Sequence, residues 1–321
     1  MGNLQKLIDF VRRKRLPRFY NKYYGLCYPP AYANGRIISG SSNLYNEYGE
    51  KLDEFYIRDK NLAFNPYRYS RYFIFDRYNF ALKTHFYTQS LIPEFVGNPD
   101  RRYACLIESE GITPNDYKIF DKHKGLNKEF DLIFTHSAKI LDKYDNARFI
   151  PFCATLQGSG VVDKNQHELK TKNVSILSSK KKLTPLNKYR IEIAEKCKRE
   201  GLADTFGTFD GGGLVNIQDT LKDYRFTFSI ENEITPYFFT EKVIAPFANQ
   251  TIPIYLGATE IDKFFNPDGI IKIDTKSDIN KVLKQCTKEE YERRLPAILD
   301  NYERVKEYFN PWDYMYKKYI K

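Results

Sequence analysis

Apolar residues along this chain recur mostly at the spacing of strands and only locally at the spacing of helices. From residue 72 onward, short β-rich runs stand apart from polar or helical stretches: YFIF (72–75), HFYT (85–88), YACLI (103–107), FDLIF (130–134) and RFIPF (148–152). Segments such as SAKILDKYDN (137–146) separate most of them, which predicts an α/β domain. A second series opens with the strand NVSILS (173–178). After Pro185 comes a helix holding Tyr189, Arg190, Ile193 and Cys197, then a short strand within 203–209 that runs into Gly211-Gly212-Gly213.

The clearest pattern lies at 225–257. Arg225 to Ile230 alternates polar and apolar residues and predicts a strand ending at Glu231 and Asn232. Thr240 stands at an N-cap, with Glu241 and Lys242 in the first turn and Val243, Ile244 and Phe247 behind them; Pro246 limits or kinks this helix. TIPIY (251–255) is again a strand and closes at Gly257. Together these make a strand-helix-strand crossover, whose ligands are received beyond the strand ends and at the helix N-terminus. Further helices are predicted at 278–283 and 288–309, the latter capped by Thr287 and stopped by Asn310-Pro311-Trp312.

At 321 residues and 42% hydrophobic content, the chain has material for two modest domains. The expected division is 1–165, 166–300 and a helical tail at 301–321, with the polar stretch 158–172 as the linker. Gly158 and Gly160 begin a phosphate-type fingerprint, but no third glycine follows, so it is rejected as a dinucleotide motif. Leu4, Leu7, Ile8 and Val11 recur at helical spacing before Arg12-Arg13-Lys14-Arg15. Two meanings are open there, a helix on a membrane surface or one packed on its own domain. Residues 16–42 read as irregular structure with aromatic anchors.

The formal charge of +10 is concentrated at the ends, which suits an acidic surface or simply a solvated basic face. Cys27, Cys105, Cys153, Cys197 and Cys286 are far apart and unaccompanied by clustered histidines, which argues against a zinc site or a disulfide framework and fits a reducing compartment. No run approaches a membrane span, and the basic start lacks the apolar core of a signal peptide. Lys6 stands where myristoylation wants Ser or Thr. The expected location is cytoplasmic, with an option of peripheral attachment to the cytoplasmic face of a membrane.

Two places carry chemistry. The helix beginning after Thr240 offers free N–H groups and the positive end of its dipole, and Lys242 adds a full charge, a combination suited to a diphosphate. The strand YACLI breaks into Glu108 and Glu110, a pair suited to taking a proton from a hydroxyl; two solvated turn residues are the plain alternative.

The order Phe228-Ser229-Ile230-Glu231-Asn232, Tyr237-Phe238-Phe239-Thr240-Glu241-Lys242, Ile252-Pro253-Ile254-Tyr255-Leu256-Gly257 and Phe265-Asn266-Pro267 resembles the signature of the α-1,3/4-fucosyltransferases, glycosyltransferase family 10. The resemblance implies a GT-B architecture, two Rossmann-like domains facing each other across a cleft. It implies inverting transfer of a sugar, L-fucose from GDP-fucose, onto a hydroxyl of a glycan acceptor, with no cofactor beyond the GDP-sugar and no metal. Arg190, Glu231, Asn232, Tyr237, Thr240, Glu241 and Lys242 would hold the donor, with bracing of the loop as the alternative for Glu231. Glu110, or Glu108, would be the catalytic base, although the Gly111-Ile112-Thr113 insertion before Pro114 departs from the family pattern.

The Tyr237 segment is also one residue longer than in the family, with Phe238 and Phe239 where one small residue is usual, a change that a different donor sugar would explain. Animal and plant members are membrane-anchored Golgi proteins, so this chain looks more like a bacterial or viral cytosolic enzyme. Nucleic acid is not expected as a partner, because the aromatic and basic residues do not interleave. The competing readings are a related transferase with another donor, or a non-catalytic binder of glycan or nucleic acid.

Overall fold

The computed structural model describes residues 51–59, 70–76, 79, 81–151 and 164–321. The expectations for 4–11 and 16–42, for Gly158 and Gly160, and for Cys27 and Cys153 fall outside the described residues. The chain divides into two compact units, Met1–Ile150 with Trp312–Lys321, and Pro151–Pro311.

The first unit contains a six-stranded sheet: β1 (Asp53–Arg58), β2 (Phe73–Asp76), β3 (Thr84–Thr88), β4 (Arg101–Leu106), β5 (Leu132–Thr135) and β6 (Ala147–Phe149). All neighbours are parallel, in the order β2-β1-β3-β4-β5-β6. A parallel sheet buries both faces, so its strands are near-continuous apolar runs. One face packs Tyr56, Tyr87, Ala104, Leu106 and Ile133 against Ile119 and Phe120 of the helix Ile119–Lys122 and Ile140 of the helix Ala138–Lys143.

The other face is aromatic. Phe55, Phe73, Phe75, Phe86, Tyr103 and Phe134 lie ring to ring, and residues 312–319 close over them. Trp312 sits edge-on to Phe75 at 5.1 Å, Tyr316 stacks on Tyr72 at 5.1 Å, and Tyr319 lies 5.8 Å from Phe134. The Tyr316 hydroxyl donates to Asp53 Oδ2 at 2.5 Å. Of the residues anticipated as one tail, 301–311 therefore belong to the second unit and 312–321 to the first. The helix that begins after Thr287 ends at Arg304 and tightens into a 3₁₀ turn, Val305–Tyr308.

The second unit holds β7 (Lys172–Leu177), β8 (Asp204–Phe206), β9 (Tyr224–Ile230), β10 (Ile252–Leu256) and β11 (Ile271–Lys272), parallel throughout, in the order β11-β10-β9-β7-β8. From β7 the chain steps outward to β8, then returns to the far side of β7 for β9. That reversal opens a crevice beyond the carboxyl ends of β7 and β9, where open parallel sheets receive ligands. Three helices bear on it: Pro185–Glu200 after β7, Glu241–Ala248 between β9 and β10, and Lys288–Arg304.

The stretch 158–172, expected to be a linker, is integral to this unit from residue 164 onward. Gln166 Nε2 donates to the Lys222 carbonyl at 2.8 Å. Lys170 is buried, its Nζ donating to the Leu221 carbonyl at 2.7 Å and to Thr251 Oγ1 at 2.8 Å. Burial holds the Lys170 ammonium down to about 7. Cys105, Cys197 and Cys286 are free, buried thiols. No helix among the described residues is long and apolar enough to cross a membrane.

Candidate functional site

The crevice of the second unit is built from two capped helix starts and the end of β9. Thr184 is extended, and its Oγ1 accepts from Asn187 N at 3.2 Å while Asn187 Oδ1 accepts from Thr184 N at 3.3 Å. This reciprocal cap, with Pro185 at the first helical position, fixes where the helix begins. Asn187 has a second use, since its Nδ2 donates to Asn232 Oδ1 at 3.0 Å.

One turn further on, Arg190 is turned into the crevice wall with 8% of its surface exposed. Its Nη2 donates to the Glu231 carbonyl at 3.2 Å and to Asn232 Oδ1 at 3.3 Å, while Nε is enclosed with no hydrogen-bond partner. Burial lowers the guanidinium pKa, against the pull of the Glu231 and Glu241 carboxylates. A desolvated cation with an unused donor is costly unless an anion completes it.

Glu231 and Thr240, expected among the residues that hold the donor, have no exposed surface. They form the frame on which the neighbouring charges stand. Glu231 Oε1 accepts from Thr240 N at 2.8 Å and Oε2 from Thr240 Oγ1 at 2.7 Å, so the loop 231–240 is closed by one carboxylate. Thr240 Oγ1 in turn caps the helix by accepting from Lys242 N at 3.2 Å. Gly257 makes room for this brace, because a Cβ there would collide with the Glu231 side chain and the Tyr255 hydroxyl. Burial pushes the Glu231 carboxyl up despite Lys242 nearby.

Lys242, about one-fifth exposed, holds its Nζ 2.9 Å from Glu241 Oε1, 3.1 Å from Thr240 Oγ1 and 3.6 Å from Glu231 Oε2. Burial opposes the Glu241 carboxylate, but Lys242 outweighs it and holds its pKa below the ordinary value. Asn232 and Glu241 are partly exposed, as a ligand contact requires.

Tyr237 is placed differently, with its ring 6.4 Å from that of Phe264 and beneath Lys263 Nζ at 5.4 Å. The additional bulk of the segment points inward. Phe238 and Phe239 are fully buried, Phe239 lying 4.9 Å from Phe264, 5.6 Å from Phe265 and 5.5 Å from Tyr308. Asn187 is the member of this constellation that sequence reasoning missed. Its signal was Thr184-Pro185-Leu186-Asn187, a capping box with Asn in place of the usual Glu or Gln.

In the first unit, Glu108 and Glu110 follow β4 on a turn, both partly exposed. The loop is cinched by Gln89, a non-glycine residue at φ 49°. Its Oε1 accepts from Ile107 N at 2.8 Å, and its Nε2 donates to Thr113 Oγ1 at 3.0 Å and Asp116 Oδ2 at 2.9 Å, joining the two ends of the loop. Tyr117 donates its hydroxyl proton to the Glu108 carbonyl and lies 2.7 Å from His136 Nε2. Burial drives His136 down to about 4, so the imidazole is neutral at physiological pH. Glu108 Oε1 accepts from Ser109 N at 2.8 Å. Among the described residues, no group of three or more His, Cys, Asp or Glu is placed to hold a metal ion.

The chain is similar to known proteins at the level of domain and fold. Residues 167–318 match the model of the glycosyltransferase family 10 (fucosyltransferase) C-terminal domain. The α-(1,3)-fucosyltransferase FucT of Helicobacter pylori is 33% identical over 63 residues, which span 20% of this chain and 13% of that enzyme. Among solved structures, an α1,3-fucosyltransferase with GDP aligns with a TM-score of 0.50 at 15% identity, over 85% of this chain and 94% of that one. An α-glucosyltransferase in complex with UDP and a DNA 13-mer aligns with a TM-score of 0.51 at 10% identity, over 84% and 90%. At such identities the likeness is one of fold, and with the two parallel sheets it places the chain in the GT-B class. The signature running from Phe228 to Pro267 thus sits inside the region, residues 167–318, that is similar to the C-terminal domain of glycosyltransferase family 10, the fucosyltransferases.

Proposed function

We propose that this protein is an inverting glycosyltransferase that moves L-fucose from GDP-fucose onto a hydroxyl of a glycan acceptor. The observation that carries the proposal is the buried Arg190 guanidinium with an unused Nε, set at the sheet reversal of a family 10 domain. With Lys242 and the amide groups after Thr240 it forms a concentration of donors beside the Glu231 and Glu241 carboxylates, donors that a departing diphosphate needs as charge builds on it. The fucosyltransferase of similar fold was crystallised with GDP, which supports the choice of nucleotide. Phe238 and Phe239 are absorbed into the core, so the longer Tyr237 segment gives no reason of its own to replace fucose with another sugar.

In the proposed reaction one carboxylate, Glu110 or Glu108, accepts the proton of the acceptor hydroxyl. That oxygen bonds to the anomeric carbon as the bond to GDP breaks, in one displacement that inverts the centre. Arg190 and Lys242 hold the diphosphate. Glu241 and Asn232 position the nucleotide-sugar, and Glu231 and Thr240 keep the Lys242 turn in place. No metal is required by this scheme, because protein cations take its electrostatic role.

The deciding experiment presents a panel of nucleotide-sugars to the purified protein and reads thermal shift, then nucleotide release with mixed glycan acceptors. Stabilisation by GDP and GDP-fucose above UDP-sugars, with GDP released only when an acceptor is present, is the expected outcome. Indifference to every GDP compound would end the proposal.

A further inference from the structure

We infer that Asn187 is a positioning residue that locks the Asn232 side chain with its NH₂ group toward the crevice, so that Asn232 meets a diphosphate as a hydrogen-bond donor. An isolated side-chain amide can be turned either way, since its oxygen and nitrogen have nearly the same shape. Here the direction is forced twice. The backbone N–H of Thr184 can only donate, so the Asn187 atom facing it at 3.3 Å must be Oδ1. Asn187 then turns Nδ2 to Asn232 at 3.0 Å, and the atom it meets must accept. Independently, Arg190 Nη2 reaches the same Asn232 atom at 3.3 Å, and a guanidinium has nothing but donors.

Asn232 is thereby left with Nδ2 as its remaining polar atom, partly exposed beyond the end of β9 and without a hydrogen bond among the described residues. The guanidinium that meets Asn232 Oδ1 also has an enclosed, unused Nε. An amide N–H without an acceptor of its own suits phosphate oxygens and rejects a ligand group that must itself donate, a sugar hydroxyl in its donating role included. The helix cap is therefore part of ligand selection: the residue that starts the helix Pro185–Glu200 also sets the polarity of the amide across from it.

The inference rests on the crevice being a nucleoside-diphosphate site, and its test separates the two. GDP affinity is measured by calorimetry for the wild type, N187D, N187A, N232A and N187D/N232A, with thermal unfolding of each. The carboxylate of N187D keeps an acceptor for Thr184 N, so this variant should unfold near the wild-type temperature, whereas N187A loses the reciprocal cap and unfolds earlier. If Asn187 only supported the helix, N187A would be the worse binder. The inference demands the reverse order, because the carboxylate introduced by N187D accepts where the wild-type amide donates, and its charged hydrogen bond to Asn232 Nδ2 outweighs the longer contact of Arg190 Nη2 with Oδ1, turning an oxygen to the diphosphate.

N187D should weaken GDP binding by about tenfold or more, the scale of one hydrogen bond to a charged group. In the N232A background the same change should cost under about twofold, as a double-mutant cycle requires of residues acting through one another. Equal losses in both backgrounds would mean that the new charge acts directly on the ligand, and the inference would fall. A wild type that does not bind GDP at all would overturn the diphosphate site itself, and the inference with it. A GDP-binding wild type with N187D unchanged would overturn only the role of Asn187.

Discussion

The two parallel sheets are wound alike and finish differently, the second with cations set among carboxylates and the first with carboxylates backed by neutral groups. In each, the chain steps to one side and then returns past its first strand, giving one reversal between β1 and β3 and another between β7 and β9. Beyond the second sheet stand an enclosed guanidinium, a capped lysine and an amide forced to donate. The first sheet carries a loop with two carboxylates after β4, held from behind by neutral groups, the Gln89 amide, the Tyr117 hydroxyl and the imidazole of His136. A common winding thus supplies positions, while the side chains at the strand ends decide what chemistry each sheet can offer. In the proposed transfer, cations that stabilise a leaving group and carboxylates that take up a proton need different surroundings, and each is assigned to its own sheet.

The largest expected effect tests the acidic side of that contrast. One of Glu110→Gln and Glu108→Gln should lower kcat by roughly 10²–10⁴-fold, the usual worth of a general base, while GDP binding by calorimetry stays within twofold. A loss of nucleotide affinity in the same variant would blur the division between the sheets.

Next in size is Trp312→Ala, which removes the ring that meets Phe75 and Phe86. It should destabilise the first unit by about 3–5 kcal/mol in denaturant titrations and leave the unfolding of the second unit in place. One shared shift of both transitions would show that the units do not unfold separately.

Lys242→Ala should then weaken GDP binding by about 10–100-fold, equivalent to some 1.5–3 kcal/mol for a charged hydrogen bond, without changing the acceptor KM. A selective effect on acceptor KM would move Lys242 out of the donor site.

The smallest effect at any one pH concerns Lys170. Its pKa is depressed to about 7 in the folded protein, so between that value and the ordinary lysine range the unfolded chain carries a proton that the folded chain has released. Stability of the second unit should therefore rise as pH climbs from 7, by at most about 1.4 kcal/mol per unit, and fall back as pH drops to 7. In Lys170→Met this slope should flatten; an unchanged slope would assign it to another group.

The donor side was the more legible of the two in sequence, for a physical reason. Its parts lie within a few dozen residues, and a strand, a cap and a helix start are each local patterns that leave a local trace. What stayed hidden depends on partners remote along the chain. Lys170 reads as linker because its acceptors, Leu221 and Thr251, are 51 and 81 positions away. Strand β1 escaped prediction because its apolar core, Phe55-Tyr56-Ile57, is only three residues long and ends in Arg58, whose burial beside Glu94 at 3.6 Å no periodicity announces. Glu231 could be read as ligand contact or brace, and only its complete burial with Thr240 favours the brace. Gln89 at positive φ and the double role of Asn187 are likewise tertiary facts.

The aromatic cover supplied by residues 312–319 has a consequence for synthesis. The strands it lies on end at Phe149, so on the ribosome an entire second unit emerges before that sheet can be sheathed. Until then Phe55, Phe73, Phe75 and Phe86 lack this cover, a window in which nascent chains stick to one another. A premature stop just ahead of Trp312 should therefore yield insoluble protein through its earliest strands, even though every described strand is present.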